Sequence, residues 1–363
     1  MQHKRLIVAD RSAPGADFAV CRLGVIMSPQ RGAPHEAWGV FNPAGVRSAD
    51  GTMHLFPRLV DKDNVSRIGH ARVLYHGDCP SGAERLGLVL GAQASDDGSS
   101  SDSVLEDPRV VYVPLLRRYI MTYTAFVPSG PRVAVAMSKD LRIWKQLGFL
   151  KYEVVADEPD INLCSNKDAA FFSDVILDPL GKPSFGVLHR PTLQLGDDHC
   201  GMNVREHIWI SYIPVDAVLS DIGQLTSVGR HERVMAPEQP WESEKIGPGP
   251  PPVRLPYGWV LPYHAVATQN ARRRYCMGLA ILDPERPSHV LYRTPSPILE
   301  PLAEYELGKG HSDIIFPSAT DLRSDGQLDI FYGAADRVIA AARVRLPDRL
   351  PRRDDVLNRC ASA

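Results

Sequence analysis

Five stretches of the chain repeat one layout: a polar or proline-marked entry, an apolar run, a short turn, and a second apolar run that often carries aromatics. They begin at Phe41 (FNPAGVRSADGTMHLFPRLV), Glu106 (EDPRVVYVPLLRRYIMTYTA), Lys167 (KDAAFFSDVILDPLGKPSFGVLHRP), Gly249 (GPPPVRLPYGWVLPYHAVA) and Ser312 (SDIIFPSATDLRSDGQLDIFYGAAD). The turns read SADG, LLRR, PLGK, PYG and SDG; most carry the Gly, Pro, Asp or Ser that reverses a chain between two strands. A unit of this kind cannot bury its apolar face alone, so neighbouring units must stack. Five of them predict an all-β fold, specifically a five-bladed β-propeller of four-stranded blades. In such a fold the innermost strand of each blade lines a central channel, and the five polar entries converge on one end of it.

The rest of the chain agrees with this plan. The 31 prolines and 28 glycines suit many short strands, and only residues 212–225 (YIPVDAVLSDIGQL) read as a short helix. The expected organisation is a single catalytic domain over residues 1–350, with residues 1–35 a peripheral extension and 351–363 a charged tail. A polar segment, GAQASDDGSSSDSVLED, precedes the second unit.

A formal net charge of −2 argues against a nucleic-acid or membrane-surface partner. No run of apolar residues is long enough to span a bilayer, and the N-terminus lacks an apolar signal core. The six cysteines are scattered without a CxxC, which predicts reduced thiols in a cytoplasmic protein. The histidines show no HxxxH or HExxH spacing, so no metal site is expected.

At the converging entries stand Asn42, Asp107, Lys167 with Asp168, Lys245 and Asp313. At the ends of the second strands stand Arg58, His189 with Arg190, His264 and Asp336. Carboxylates among aromatics suit a sugar, whose hydroxyls need acceptors and whose glycosidic oxygen needs a proton. Arginine and lysine suit an anion, and arginine grips phosphate with two parallel hydrogen bonds.

The blocks EDPR, NKDAAFF…GVLHRP, WESEKIGPGPPPVRLPYGWVLPYHAVA, LAILDPERPSHVLYRTPSPIL and YGAAD, in that order, resemble the signature blocks of glycoside hydrolase family 130. That family comprises inverting β-mannoside phosphorylases and some β-mannosidases, and its fold is a five-bladed propeller. The resemblance implies that Asp107 is the general acid, passing its proton through the 3-hydroxyl of the mannosyl unit. Phosphate then attacks the anomeric carbon from the opposite face and yields α-mannose 1-phosphate. It implies a phosphate site of Asn42, Lys167 and Arg190 with His264 close by, and mannosyl-binding roles for Lys245 and Asp336. Arg58 and Arg67 match further sugar- or phosphate-facing positions. Glu106 is expected beside the substrate as an orienting carboxylate.

The implied partners are a short β-1,2- or β-1,4-linked β-mannoside and inorganic phosphate as co-substrate, with no cofactor. Family members assemble into dimers or hexamers, which leaves a homo-oligomer open. Two other readings stand beside the phosphorylase: an inverting β-mannosidase, in which carboxylates that activate water replace the cations, and a non-catalytic glycan-binding propeller.

Some residues have plainer alternatives. Arg109 could pair with a nearby carboxylate, His189 could be a packing histidine, and Trp241 and Trp259 read as core aromatics. The chain also departs from the family in places. YHAV replaces YHGV, so Ala265 adds a methyl group near the site. Pro43 follows Asn42, and QLGDDHCGMNVREH is expected to reshape the acceptor side.

Overall fold

The computed structural model describes residues 18–91, 104–156, 158–193 and 206–350. The polar segment at 92–103, most of QLGDDHCGMNVREH, and the charged tail lie outside the described residues. The first strand, β1 (Ala19–Met27), joins the sheet of the last strands and is taken up with them below.

The first unit is an antiparallel sheet of β2 (Gly39–Arg47), β3 (Met53–Val60), β4 (Ser66–His76) and β5 (Cys79–Leu90). The second has the same order: β6 (Leu105–Val113), β7 (Arg118–Val127), β8 (Gly130–Ser138) and β9 (Trp144–Phe149). The third contains β10 (Lys151–Tyr152), β11 (Ser165–Phe171), β12 (Ile176–Leu177), β13 (Pro183–Thr192), β14 (Ile208–Pro214) and β15 (Ser227–Met235). A short helix, α1 (Val215–Ser220), and a 3-10 turn follow β14, where the sequence placed its one helix.

The fourth group is β16 (Lys245–Pro248), β17 (Val253–Leu255), β18 (Gly258–Gln269), β19 (Arg272–Leu282) and β20 (Val290–Arg293). The fifth is β21 (Ser312–Leu322), β22 (Gln327–Ala334) and β23 (Val338–Arg345). Parallel pairing of Arg273–Tyr275 with Ser312–Ile314 links these last two groups, so that with β1 they count as one nine-stranded sheet. The fold is all-β, and each of the five repeats is a hairpin. The SADG, PLGK and SDG turns place Gly51, Gly181 and Gly326 at φ of 85°, 76° and 78°, a left-handed conformation that glycine adopts without strain.

Five buried apolar clusters lie between consecutive groups. Phe56 and Ile68 meet Val110 and Met121, and Val111 and Ile120 meet Phe171 and Val187. Leu188 and Ile210 meet Trp259 and Leu261, and Val260 and Leu279 meet Ile315 and Ile330. The fifth returns from the last group to the first, where Ala319 and Phe331 meet Val40 and Leu55. The inner strands, read from sequence as apolar runs, therefore have both faces covered. Among the described residues no helix is long and apolar enough to cross a membrane.

The N-terminal expectation needs correction. Residues 19–27, assigned from sequence to a peripheral extension, pair antiparallel with β23 from Ala19↔Arg345 to Met27↔Ile339. The last group supplies only three strands of its own, and its open edge takes the first strand of the chain as a fourth. Phe18, Ile26 and Met27 are buried by this pairing, Phe18 against Tyr292 at 6.0 Å between ring centroids. Phe18→Ala is therefore expected to destabilise the protein by about 3–5 kcal/mol, measured by urea unfolding. A change within the surface range of about 0.5 kcal/mol would show that β1 is dispensable.

Candidate active site

The hairpins carry one shared distortion. In β2, Phe41 pairs with Arg58 and Ala44 with Phe56, so Asn42 and Pro43 stand opposite the single residue Pro57. In β6, Asp107 and Pro108 stand opposite Tyr123, and in β11, Asp168 and Ala169 stand opposite His189. Each is a β-bulge, an extra residue that bends the strand and re-aims a side chain. Asn42, Asp107 and Asp168 sit at φ of 43°, 50° and 57°, a left-handed region that Asn and Asp tolerate better than most residues. All three line one cavity of about 390 Å³.

Arg109 holds the second bulge in place. Its buried guanidinium donates to the carbonyls of Asp107 (3.1 Å), Pro108 (3.0 Å) and Gly249 (2.6 Å), and it lies over Phe316. The expected carboxylate partner is thus replaced by three backbone acceptors. Two glycines make room nearby. A Cβ at Gly333 would sit 1.9 Å from the Asn42 Oδ1, and one at Gly247 would sit 2.4 Å from the His264 ring and 2.9 Å from the Arg190 Nε.

The cavity has two halves. In the first, the Asp107 Oδ1 accepts from the Asn42 Nδ2 at 2.9 Å and lies 3.3 Å from the Arg58 Nη1. Arg58 also reaches Glu106 at 2.5 Å, and the Lys167 Nζ approaches the other Glu106 oxygen at 3.3 Å. Burial and the adjacent Asp107 raise the Glu106 pKa, against the pull of Arg58 and Lys167. Asp336 closes this half with φ of 51°. Burial, then the charges of Asp107 and Glu106, push its carboxyl up to about 6.

In the second half the Arg190 Nε donates to the Asp168 Oδ2 at 2.7 Å. Arg190 also contacts the Glu206 Oε2, which lies 3.6 Å from the Lys245 Nζ. Desolvation, reinforced by Arg190, draws Lys245 down to about 8. Asp168 stays well below the usual carboxylate range: its own burial opposes this, but Arg190, His264 and Arg109 outweigh it. His264 lies 3.7 Å from Asp168, and neither of its ring nitrogens has a hydrogen-bond partner. Burial holds its pKa near 3, so a neutral imidazole faces the cavity.

The structure therefore brings together Asn42, Arg58, Glu106, Asp107, Lys167, Arg190, Lys245, His264 and Asp336. Arg67 is not among the lining residues; it pairs with Asp61 at 2.7 Å, being one residue out of phase with the Arg58-facing Ile68. Lys245, which the resemblance gives to the sugar, lines the cavity in the Arg190 half. Asp313 is also drawn away, by Arg272, while Ile314 and Phe316 of its strand reach the cavity. Ala265 does not narrow the site: strand alternation sends His264 to the cavity and Ala265 into the core. His189 is a packing residue, bonded to Asn166 and Ser211. Trp241 and Trp259 are buried in the core, donating to the Pro295 and Pro284 carbonyls.

Sequence reasoning missed Glu206 and Tyr275. Glu206 stands at the end of the unusual QLGDDHCGMNVREH stretch, which was the one available signal.

The fold and this cavity define an all-β protein with a polar site lined by carboxylates and cations. A family model described as beta-1,4-mannooligosaccharide phosphorylase matches residues 20–350. The chain is 29% identical over 328 residues to the 1,2-beta-oligomannan phosphorylase of Thermoanaerobacter sp. (strain X514), covering 89% of this chain and 95% of that one. It is 28% identical over 345 residues to the beta-1,2-mannobiose phosphorylase of the same organism, covering 90% and 97%. The solved structure of the Listeria innocua beta-1,2-mannobiose phosphorylase, in complex with beta-1,2-mannobiose, matches with a TM-score of 0.66 at 22% identity. That match covers 95% of this chain and 99% of the other and carries the fold. The chain belongs to glycoside hydrolase family 130.

Asp336 supplies a pH-dependent prediction. Its folded pKa, about 6, lies above the ordinary 3.8, so its ionisation opposes folding. The penalty is absent below the unfolded value, develops between about pH 4 and 6, and is complete at pH 7. Asp336→Asn is expected to stabilise the protein at pH 7 by about 3 kcal/mol, with the gain shrinking towards pH 4 in urea-unfolding experiments. A gain that stays constant with pH would mean that Asp336 ionises freely.

Proposed function

We propose that the chain is an inverting β-mannoside phosphorylase that converts a short β-mannoside and inorganic phosphate into α-mannose 1-phosphate and a shortened sugar. The observation that carries this reading is the division of one cavity into an Asp107 half and an Arg190–Lys245 half. An inverting hydrolase needs one carboxyl to protonate the leaving oxygen and another to activate water. Phosphate arrives as a nucleophile, so cations take the place of the base.

Asp107 is the general acid. Asn42 and Arg58 fix its Oδ1, leaving its other oxygen to hold the proton. That proton passes through the mannosyl 3-hydroxyl to the glycosidic oxygen as the C–O bond breaks and the anomeric carbon bonds to a phosphate oxygen. Arg58, Glu106 and Asp336 hold sugar hydroxyls. Arg190 and Lys245 hold phosphate, joined from the edge of the first half by Lys167 and Asn42, with the neutral His264 beside them. Lys245 joins the phosphate set because of its place beside Arg190 and Glu206.

The frame is read as a five-bladed propeller forming one catalytic domain to residue 350. The five inter-group clusters, the last of which returns to the first group, support this. Cytoplasmic residence is read from the scattered cysteines, of which Cys21, Cys79 and Cys276 are free. A homo-oligomer remains a family-based reading with no interface assigned.

The linkage follows from one experiment. The family description speaks of β-1,4 and the two full-length relatives of β-1,2 linkages. The purified protein is offered β-1,2- and β-1,4-mannobiose and mannosyl-glucose with and without phosphate. α-Mannose 1-phosphate is expected only with phosphate. Free mannose released regardless of phosphate would make the protein the family's hydrolase, a reading that Glu206 beside Arg190 gives some footing.

Two variants test the roles. Asp107→Asn is expected to abolish turnover of an unactivated mannoside while the thermal midpoint stays close to that of the wild type. Near-normal turnover would remove Asp107 from its role. Lys167→Met is expected to raise KM for phosphate about tenfold or more with little change in KM for sugar. Lys167 is a cleaner probe than Arg190, whose removal strands the buried Asp168 and destabilises by about 3–5 kcal/mol. Equal effects on both substrates would place Lys167 outside the phosphate site.

A further inference from the structure

The lining holds four side chains that are always or normally cationic, Arg58, Lys167, Arg190 and Lys245, against five carboxylates, Glu106, Asp107, Asp168, Glu206 and Asp336. His264 is neutral. A cavity so balanced has no spare positive charge for a phosphate. Three of the carboxylates have duties independent of the anion: Asp107 and Glu106 are engaged by Arg58, and Asp168 anchors Arg190 from the buried side. Glu206 differs. It comes from outside the repeated hairpins and presents its carboxylate to the cations of the second half.

Glu206 is held there by its neighbours. Its backbone forms a parallel bridge to Lys245, and the Ile246 amide donates to its carbonyl at 3.2 Å. Its Oε1 accepts from the Thr192 Oγ1 at 2.6 Å. Its Oε2 faces Arg190 and Lys245. From β11, Asp168 faces the same Arg190, and from β18, His264 faces Asp168. The carboxylate thus occupies the position that an anion bound by both cations would take.

We propose that Glu206 is a built-in competitor for phosphate: its carboxylate stands in for the anion on Arg190 and Lys245 and sets the phosphate affinity of the site. This rests on the phosphorylase reading above. Phosphate entry then requires Glu206 either to swing away from the two cations or to take up a proton and become a hydrogen-bond donor to a phosphate oxygen. In the empty site the same carboxylate offsets the repulsion between Arg190 and Lys245. The residue is a specificity determinant rather than a proton-transfer group, because it lies with the cations and not beside Asp107.

The test is Glu206→Gln, which keeps shape and removes charge, with Glu206→Ser as a second neutral variant should the first fail to fold. A like charge within about 4–6 Å shifts an ionic equilibrium by one to three powers of ten. Both variants are therefore expected to lower KM for phosphate at least about tenfold, with KM for the mannoside little changed. Sulfate, whose charge is fixed near neutral pH, gives a readout without turnover. Its dissociation constant, measured by calorimetry on the full chain, is expected to fall by a similar factor.

An unchanged or raised phosphate KM, or sulfate binding no tighter than in the wild type, would overturn the proposal and leave Glu206 as a strut that positions Arg190. A wild-type protein that makes no sugar phosphate, and whose phosphate-independent hydrolysis is lost in Glu206→Gln, would overturn the phosphorylase reading itself. The two failures are thereby distinguishable.

Discussion

A polar site in the middle of a β-structure faces a geometric problem: strand side chains alternate, so only every second residue can reach a given face. The bulges of β2, β6 and β11 solve it in the same way three times. Each inserts a residue with positive φ where the strand meets the cavity, and each such residue is Asn or Asp. The left-handed backbone brings Asn42, Asp107 and Asp168 into one space while Ala44, Val110 and Phe171 beyond them remain in core clusters. Conformations of this kind persist only where their surroundings over-determine them. Here the surroundings include a buried arginine saturating the carbonyls around Asp107 and a glycine whose missing side chain makes room for Asn42.

Those backbone placements create an electrostatic one. Eleven ionisable groups share a cavity of about 390 Å³, and their fold-imposed pairing decides which are free to work. Arg58 ties Glu106 to Asp107, and Asp168 holds Arg190. The displaced pKa values of Asp336 and Lys245 follow first from burial, which favours the neutral form of each, and then from the charges beside them. The unpartnered ring of His264 and the open carboxylate oxygen of Asp107 are the places where the internal pairing is left incomplete.

The hairpins were legible because turn residues and apolar runs are local signals, and the five units announce each other by repetition. Most of the site was legible for the same reason: Asn42, Asp107, Lys167 and Arg190 occupy corresponding ends of the repeated unit. What failed was information that depends on distant pairing. Whether an arginine faces a cavity or an aspartate is decided by one residue of register, which separates Arg58 from Arg67. Lys245 reads the same on either side of the cavity until its neighbour Glu206 is known, and Glu206 belongs to no repeat. The partners of Arg109 stayed open in the sequence because they are carbonyls, which every residue possesses and no sequence displays. The first strand was misjudged because its partner lies at the other end of the chain.

That last pairing also bears on how the protein comes into being. A ribosome releases β1 first and β23 last, so the earliest strand must wait, unpaired, for nearly the whole chain to be made. The closing sheet cannot form while synthesis is under way, and contacts between such distant residues form slowly. Until that moment Ile26 and Met27, buried in the finished fold, lack their partner strand. The first and last strands of the described residues thus act as a clasp that closes the final sheet.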